Sequence, residues 1–266
     1  MTKLKSESWQ AVLVSRVIPL AREAGWAILA LYNETNSIVN FKGDNSPLTQ
    51  ADLASHRVIV NGLNRLSPVW PILSEESAPI PFHERKTWRY FWMVDPLDGT
   101  KEFLCRNGEF TVNIALMKCN MPILGVVYAP VTDTVYFAAA GAGAMKISGG
   151  IVSPIRARRA GRSAIRVVLS RSHSQFDDNL KHFTRGAENC EYIVMGSSLK
   201  FCLVAEGAAD IYPRFGPTME WDTAAAHCIL EEAGGTVSDL DGNSMIYNKP
   251  ELLNPGFVVR GIPEAV

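Results

Sequence analysis

The sequence predicts an α/β (α+β) chain whose helices and strands stack in layers, on three observations. Apolar residues recur at helical spacing in two long N-terminal segments. Short β-branched and aromatic runs, bounded by turn residues, then follow in series. Helices and strands intermix through the C-terminal half. At 266 residues, 47% apolar and 20% charged, the chain is long enough for a substantial core and has the composition of a globular protein. Its formal net charge of -1 provides no broad basic field, which argues against a nucleic-acid polymer as partner.

Residues 7–33 place Val12, Val17, Leu20, Ala24, Ala27 and Leu31 at helical spacing and predict an amphipathic helix. Arg16, Arg22 and Glu23 interrupt its apolar stretches, so it is too short and too charged for a membrane span, and no small-residue cleavage site follows an apolar core. The expectation is a cytoplasmic protein, free or attached peripherally to the cytoplasmic face of the inner membrane, as a monomer or homodimer. Asn, Gly, Asp, Ser and Pro at 36–47 predict a turn or mobile loop. The stretch 36–50 is a candidate lid over a site. Thr49 to Leu66 reads as a second helix, with Ala51, Leu53, Val58, Ile59 and Leu63 as its apolar positions.

The run WPILSEES is a short strand ending in Glu75 and Glu76. Residues 88–94 read as an aromatic and β-branched core strand that runs into Asp95-Pro96-Leu97-Asp98-Gly99-Thr100. Strands at 110–117, 123–128 and 134–139 follow. GAGAMKISGG with Pro154 marks a boundary near 145–160, dividing the chain into residues 1–155 and 156–266. The basic run RARRAGR at 156–162 reads as a solvated linker. Beyond it come a strand at 165–170, a helix near 175–184 and a strand near 191–195. GSSLKFCLVAEGAAD reads as a serine-capped helix ending at Gly207. Asp222 precedes a helix, TAAAHCILEEAGG, that two glycines stop, and a hairpin-like tail turns at Asp241-Gly242. The five cysteines form no CxxC and are odd in number, so they read as buried small residues of a reducing compartment. No histidine has metal-ligand spacing, and His227 reads as an ordinary helix residue.

The chemistry concentrates in Asp95 to Thr100. Two carboxylates three residues apart, with Pro96 setting a turn and Gly99 relaxing it, can point at one spot. Acids held that close repel unless a cation neutralises them, and hard oxygen ligands suit magnesium. The Leu97 side chain is no ligand, but its carbonyl can face the same ion. A helix starting after Gly99 would offer the Gly99 and Thr100 amides to a phosphate oxygen. Glu75 and Asp222 stand at the ends of other elements, so several acids from distant segments are expected to converge on one cavity.

The strings SEES at 74–77, DPLDGT at 95–100, WDTAAA at 221–226 and EEAGG at 231–235, in this order and spacing, resemble the inositol monophosphatase superfamily of lithium-sensitive, magnesium-dependent phosphatases. The resemblance spans nearly the whole chain. It implies a layered αβαβα sandwich and two to three Mg2+ ions. KGDNSPLTQAD at 42–52, the segment 196–214, FGPTMEWD at 215–222 and Lys101-Glu102-Phe103 after DPLDGT are similar to its bacterial 3'(2'),5'-bisphosphate nucleotidase branch. That branch removes the 3'-phosphate of adenosine 3',5'-bisphosphate, a small-molecule nucleotide; the alternative is a relative acting on inositol phosphates or fructose bisphosphate. By resemblance, Glu75, Asp95 and the Leu97 carbonyl hold one ion, and Asp95, Asp98 and Asp222 a second. Thr100, paired with Asp52, orients the attacking water, with Glu75 contributing to catalysis and Glu76 supporting the shell. Gly99 and Thr100 cradle the phosphate. Gly196, Ser197 and Ser198 face the nucleotide, and Lys200 and Arg214 are candidates for its second phosphate. Arg214 stands where inositol-specific relatives carry a Glu, which suits an anion over a sugar hydroxyl.

Overall fold

A computed structural model describes residues 9–32, 39–41, 47–159, 164–171, 183 and 189–262. Helices α1 (Trp9–Tyr32) and α2 (Gln50–Leu63) pack on each other and on one face of a seven-stranded sheet. A short antiparallel ribbon of β1 (Val39–Phe41) and β2 (Pro47–Thr49) leads into α2. The large sheet has the order β3-β4-β5-β6-β7-β8-β9. Its strands are β3 (Ile72–Ser74), β4 (Tyr90–Asp98), β5 (Thr111–Lys118), β6 (Met121–Ala129), β7 (Thr134–Ala139), β8 (Gly143–Ser148) and β9 (Ile151–Ile155). Only β3 runs parallel to its neighbour; the other pairs are antiparallel. Two short helices, α3 (Phe82–Arg85) and α4 (Thr100–Leu104), flank β4.

A five-stranded mixed sheet follows in the order β11-β10-β12-β14-β13. It comprises β10 (Ala164–Ser170), β11 (Asn189–Met195), β12 (Ile211–Arg214), β13 (Thr236–Asp239) and β14 (Phe257–Arg260). Helices α5 (Leu199–Ala205) and α6 (Glu220–Glu232) pack on each other between the two sheets: α6 lies on β4 to β8, and α5 on β10, β12 and β14. The described residues therefore build helix, sheet, helix and sheet layers of the expected sandwich. The helix expected near 175–184 lies, but for Phe183, outside the described residues.

Period-two alternation explains this stacking. On β4, Trp92 and Val94 enter the core beneath α1 and α2, whereas Phe91 and Met93 enter the core shared with α5, α6 and the second sheet. On β5, Val112, Ile114 and Leu116 face the first core and Ala115 and Met117 the second. Both faces of the large sheet are covered, which is why its strands read as nearly continuous apolar runs. Gly125 on β6 has a specific reason to lack a side chain: a Cβ there would lie 2.1 Å from the Ala225 carbonyl oxygen. With Ala224, Ala225 and Ala226 all buried, α6 settles directly on the sheet, which brings its first turn to the end of β4.

Several expectations are corrected. The glycine-rich stretch before residue 155 is ordered, since β8 and β9 form a hairpin extending the large sheet, turned at Gly149 and Gly150 with positive φ; the large sheet ends at Ile155 and the second sheet starts at Ala164. The basic run is no solvated linker over its described part: Ala157 is buried, and Arg158 forms a two-pronged ion pair with the buried carboxylate of Asp210. Cys202 and Cys228 are buried as expected, but Cys105 and Cys119 are exposed and Cys190 is half-buried. The segment 36–47 is framed by the β1–β2 ribbon, and residues 42–46 lie outside the described residues. The Asp241-Gly242 turn is present, held by Asp239 Oδ1 accepting from the Asp241 and Asn243 amides. It closes only a single bridge, Ser238 to Ser244, and β14 returns much later.

Candidate active site

The acidic residues arrive on three elements. β4 does not turn at Pro96; it continues through Asp98 with a bulge between Asp95 and Asp98, where the partner strand offers Asn113 and Thr111. A bulge re-aims side chains that regular pairing would send to opposite faces. Gly99 then takes φ +94, a left-handed conformation that glycine adopts without steric cost, and α4 starts at Thr100. Glu75 follows β3, its amide donating to the Val94 carbonyl at 3.1 Å, so it lies beside the end of β4. Asp222 is not a residue preceding a helix. It sits in the first turn of α6, where its Oδ2 accepts from the Met219 amide at 2.8 Å.

These groups open on one cavity of about 340 Å³. Glu75, Asp95, Leu97, Asp98, Gly99, Thr100 and Asp222 all line it. Ser197, Ser198, Lys200 and Arg214 line it as well. Glu76 does not. Burial pushes the Asp95 carboxyl well above the usual range, reinforced by the negative charges of Glu75, Asp98, Asp222 and Asp52. Asp222 is displaced the same way by burial and then by Asp98 and Glu75, against the opposing Met219 amide. Like charges therefore crowd one partly desolvated space, which a cation relieves.

Among the described residues no three His, Cys, Asp or Glu side chains close a metal shell around one point. The protein holds single oxygens of these acids instead. Asp95 Oδ1 accepts from the Leu97 amide at 3.0 Å. Asp98 Oδ2 accepts from the Ser198 amide at 2.6 Å and lies 2.8 Å from both serine hydroxyls. Four mutually repelling carboxylates around a polar cavity are nevertheless the hard-oxygen donor set that a divalent cation such as magnesium takes, and the residues fit that group.

Asp52 occupies the third position of α2 and closes a capping box: its Oδ2 accepts from the Thr49 amide at 2.8 Å and from the Thr49 hydroxyl at 2.6 Å. Its Oδ1 accepts from the Thr100 hydroxyl at 3.3 Å. The expected Thr100–Asp52 pair is thus present, with Asp52 buried behind Thr100 and Thr100 on the cavity wall.

The turn before α5 differs from a simple serine cap. Ser198 makes no side-chain cap; its hydroxyl lies 2.6 Å from the Asp222 carbonyl. Gly196 donates its amide to Glu109 Oε2 at 2.8 Å, and a Cβ at Gly196 would meet Glu102 Cγ at 2.6 Å. Lys200 is no solvated charge: it is buried, donates from Nζ to the Ser197 carbonyl at 2.6 Å and lies over the Tyr212 ring. Burial lowers its pKa to about 8 against the pull of Asp98. Arg214 donates to the Pro217 carbonyl at 3.0 Å. His227, read as an ordinary helix residue, is core, with Nδ1 2.8 Å from the Tyr247 hydroxyl. Sequence reasoning missed Thr111 and Asn113, two buried polar residues on β5 behind Asp98. Their signal was a pair of polar side chains inside the apolar run FTVNIALM.

Residues 9–260 match the model of the inositol monophosphatase family. The chain is 51% identical over 249 residues to the 3'(2'),5'-bisphosphate nucleotidase CysQ of Escherichia coli K12, covering 93% of this chain and 99% of that relative. It is 44% identical over 258 residues to the enzyme of the same name from Buchnera aphidicola, with 96% and 95% covered. Among solved structures, CysQ from Bacteroides thetaiotaomicron, described as a bacterial member of the inositol monophosphatase family, superposes with a TM-score of 0.84 at 42% identity, over 96% of this chain and 99% of that one.

Proposed function

The chain belongs to the inositol monophosphatase family, and we propose on that premise that it is a 3'(2'),5'-bisphosphate nucleotidase. It hydrolyses adenosine 3',5'-bisphosphate to AMP and phosphate, recycling a by-product of sulfate assimilation in the cytoplasm. The observation that carries this reading is one cavity lined by charges of both signs: the carboxylates of Glu75, Asp95, Asp98 and Asp222, and the cations of Lys200 and Arg214. A substrate with two phosphates needs both, one phosphate at the reacting centre and one held away from it.

Glu75, Asp95, Asp98, Asp222 and the Leu97 carbonyl would hold two to three magnesium ions, which would supply the positive charge that phosphoryl transfer requires. Thr100 donates its hydroxyl proton to Asp52, which leaves its oxygen lone pairs to accept a hydrogen bond from the attacking water and so orient it. Asp52 keeps that hydroxyl in place because its other oxygen is fixed by the Thr49 capping box. The water oxygen bonds to phosphorus as the bond from phosphorus to the ribose 3' oxygen breaks; the water gives up one proton and the leaving oxygen takes one up, so the products are the 3'-hydroxyl of AMP and inorganic phosphate. The Gly99 and Thr100 amides, at the left-handed turn into α4, receive the phosphoryl oxygens. Ser197 and Ser198 face the nucleotide, and Lys200 and Arg214 meet its 5'-phosphate. Phosphate release measured with adenosine 3',5'-bisphosphate, an inositol monophosphate and fructose bisphosphate tests the reading. The nucleotide is expected to give the highest kcat/KM, and a preference for either sugar phosphate would refute it.

A further inference from the structure

Thr111 and Asn113 on β5 are fully buried, and neither lines the cavity. Both stand opposite the acidic bulge: Asn113 pairs in register with Asp95, and Thr111 with Asp98. Asn113 Nδ2 donates to the Ser198 hydroxyl at 2.8 Å and to Asp98 Oδ2 at 3.3 Å. Its Oδ1 accepts from the Thr111 hydroxyl at 2.9 Å, and the Thr111 oxygen lies 2.5 Å from the Ser197 oxygen. These contacts tie two strands of the large sheet to the turn that leaves β11 of the other sheet. That turn is not relaxed: Ser197 has φ +55, which a non-glycine residue keeps only when its surroundings over-determine it.

Hydroxyl protons are scarce in this cluster. The hydroxyls of Thr111, Ser197 and Ser198 carry three protons for five contacts: Thr111 with Asn113, Thr111 with Ser197, Ser197 with Asp98, Ser198 with Asp98, and Ser198 with the Asp222 carbonyl. The hydroxyls alone therefore admit several arrangements. The amide of Asn113 has a fixed donor end and a fixed acceptor end. With Oδ1 taking the Thr111 proton, the Thr111 oxygen is left to accept from Ser197, and Asp98 Oδ2 is held by the Ser198 amide and Asn113 Nδ2.

We propose that Asn113, backed by Thr111, is a positioning residue that selects one arrangement and thereby fixes both the Asp98 carboxylate and the 196–198 turn. The inference rests on reading the cavity as a cation-dependent phosphatase site. It couples cation affinity to substrate affinity through a residue that touches neither.

The test measures Mg2+ binding to metal-free protein by calorimetry, alongside KM for adenosine 3',5'-bisphosphate and the melting temperature. Asn113→Ala is expected to weaken Mg2+ binding about tenfold or more, as loss of a buried partner of a metal ligand does, and to raise KM. Met117→Ala, a cavity in the same strand, is the structural control: it lowers the melting temperature and leaves Mg2+ affinity unchanged. Thr111→Val keeps the shape and removes the hydroxyl, so it carries the test should Asn113→Ala not fold; it is expected to weaken binding severalfold. Wild-type Mg2+ affinity and KM in the folded variants would overturn the proposal alone. Wild-type protein that binds no Mg2+ would overturn the functional reading and this inference with it.

Discussion

Asp222→Asn separates what stabilises this fold from what makes it an enzyme. Asp222 is buried in the first turn of α6, and its carboxyl is pushed up by burial and by Asp98 and Glu75. An asparagine side-chain oxygen can still accept from the Met219 amide, so the helix start survives. The negative charge does not. Two carboxylates ~5 Å apart repel by about 3 kcal/mol at an effective dielectric near 20. Part of that is already relieved by proton uptake, so a gain of roughly 1–3 kcal/mol is expected for the metal-free protein. For a chain of this size that is a rise in melting temperature of roughly 2–10 °C in the presence of a chelator. In excess Mg2+ the same variant should release phosphate more slowly than wild type by about 10²-fold or more, since one ligand of the charge-supplying ions is gone. Calorimetry in chelator and a phosphate-release assay read both quantities. A lower melting temperature in chelator, or near wild-type turnover, would refute the view that function maintains this charge crowding at the expense of stability.

Other outcomes follow from the same geometry. Thr100→Val should lower kcat by about 10²-fold with little change in KM, because the water loses its acceptor while binding groups remain; an unchanged kcat would remove Thr100 from the mechanism. Lys200, with a folded pKa of about 8 against 10.5 for the ordinary side chain, binds fewer protons folded than unfolded between those values. Stability should therefore rise with pH across that window by on the order of 3 kcal/mol, and Lys200→Met should lose that rise in urea titrations at pH 7.5 and 10. An equal rise in wild type and variant would contradict the buried charge. Lithium should inhibit, with wild-type protein losing turnover at concentrations where sodium has no effect; equal responses to the two salts would count against a weakly held cation position.

Much of the site was legible because its acids follow punctuated strands. Asp95, Asp98 and Glu75 stand where apolar runs stop, and Asp222 heads a run of small residues that only a closely packed helix explains. What sequence could not show is how the chain bends there. Pro96 suggests a turn, yet pairing with β5 carries the strand through Asp98 as a bulge, and this tertiary pairing overrides the local signal. The glycines at 141–150 suggest a break, yet they serve hairpin turns at the sheet edge. Arg158 reads as a solvated charge because nothing local reveals the Asp210 carboxylate that receives it, and nothing local shows that Lys200 is buried with the Ser197 carbonyl as its acceptor. Asn113 stands out as a polar residue inside an apolar run, but its role does not, because its partners lie 15 and 85 residues away in the chain.

The central claim is that four distant acids share divalent cations beside a phosphate-gripping turn. Crystals grown with Mn2+, AMP and phosphate test it through the anomalous signal of manganese. Two or more peaks are predicted in the cavity, coordinated by Glu75, Asp95, Asp98 and Asp222, with phosphate against Gly99 and Thr100. Manganese found only elsewhere, or a site from which Glu75 and Asp222 both stay away, would contradict it.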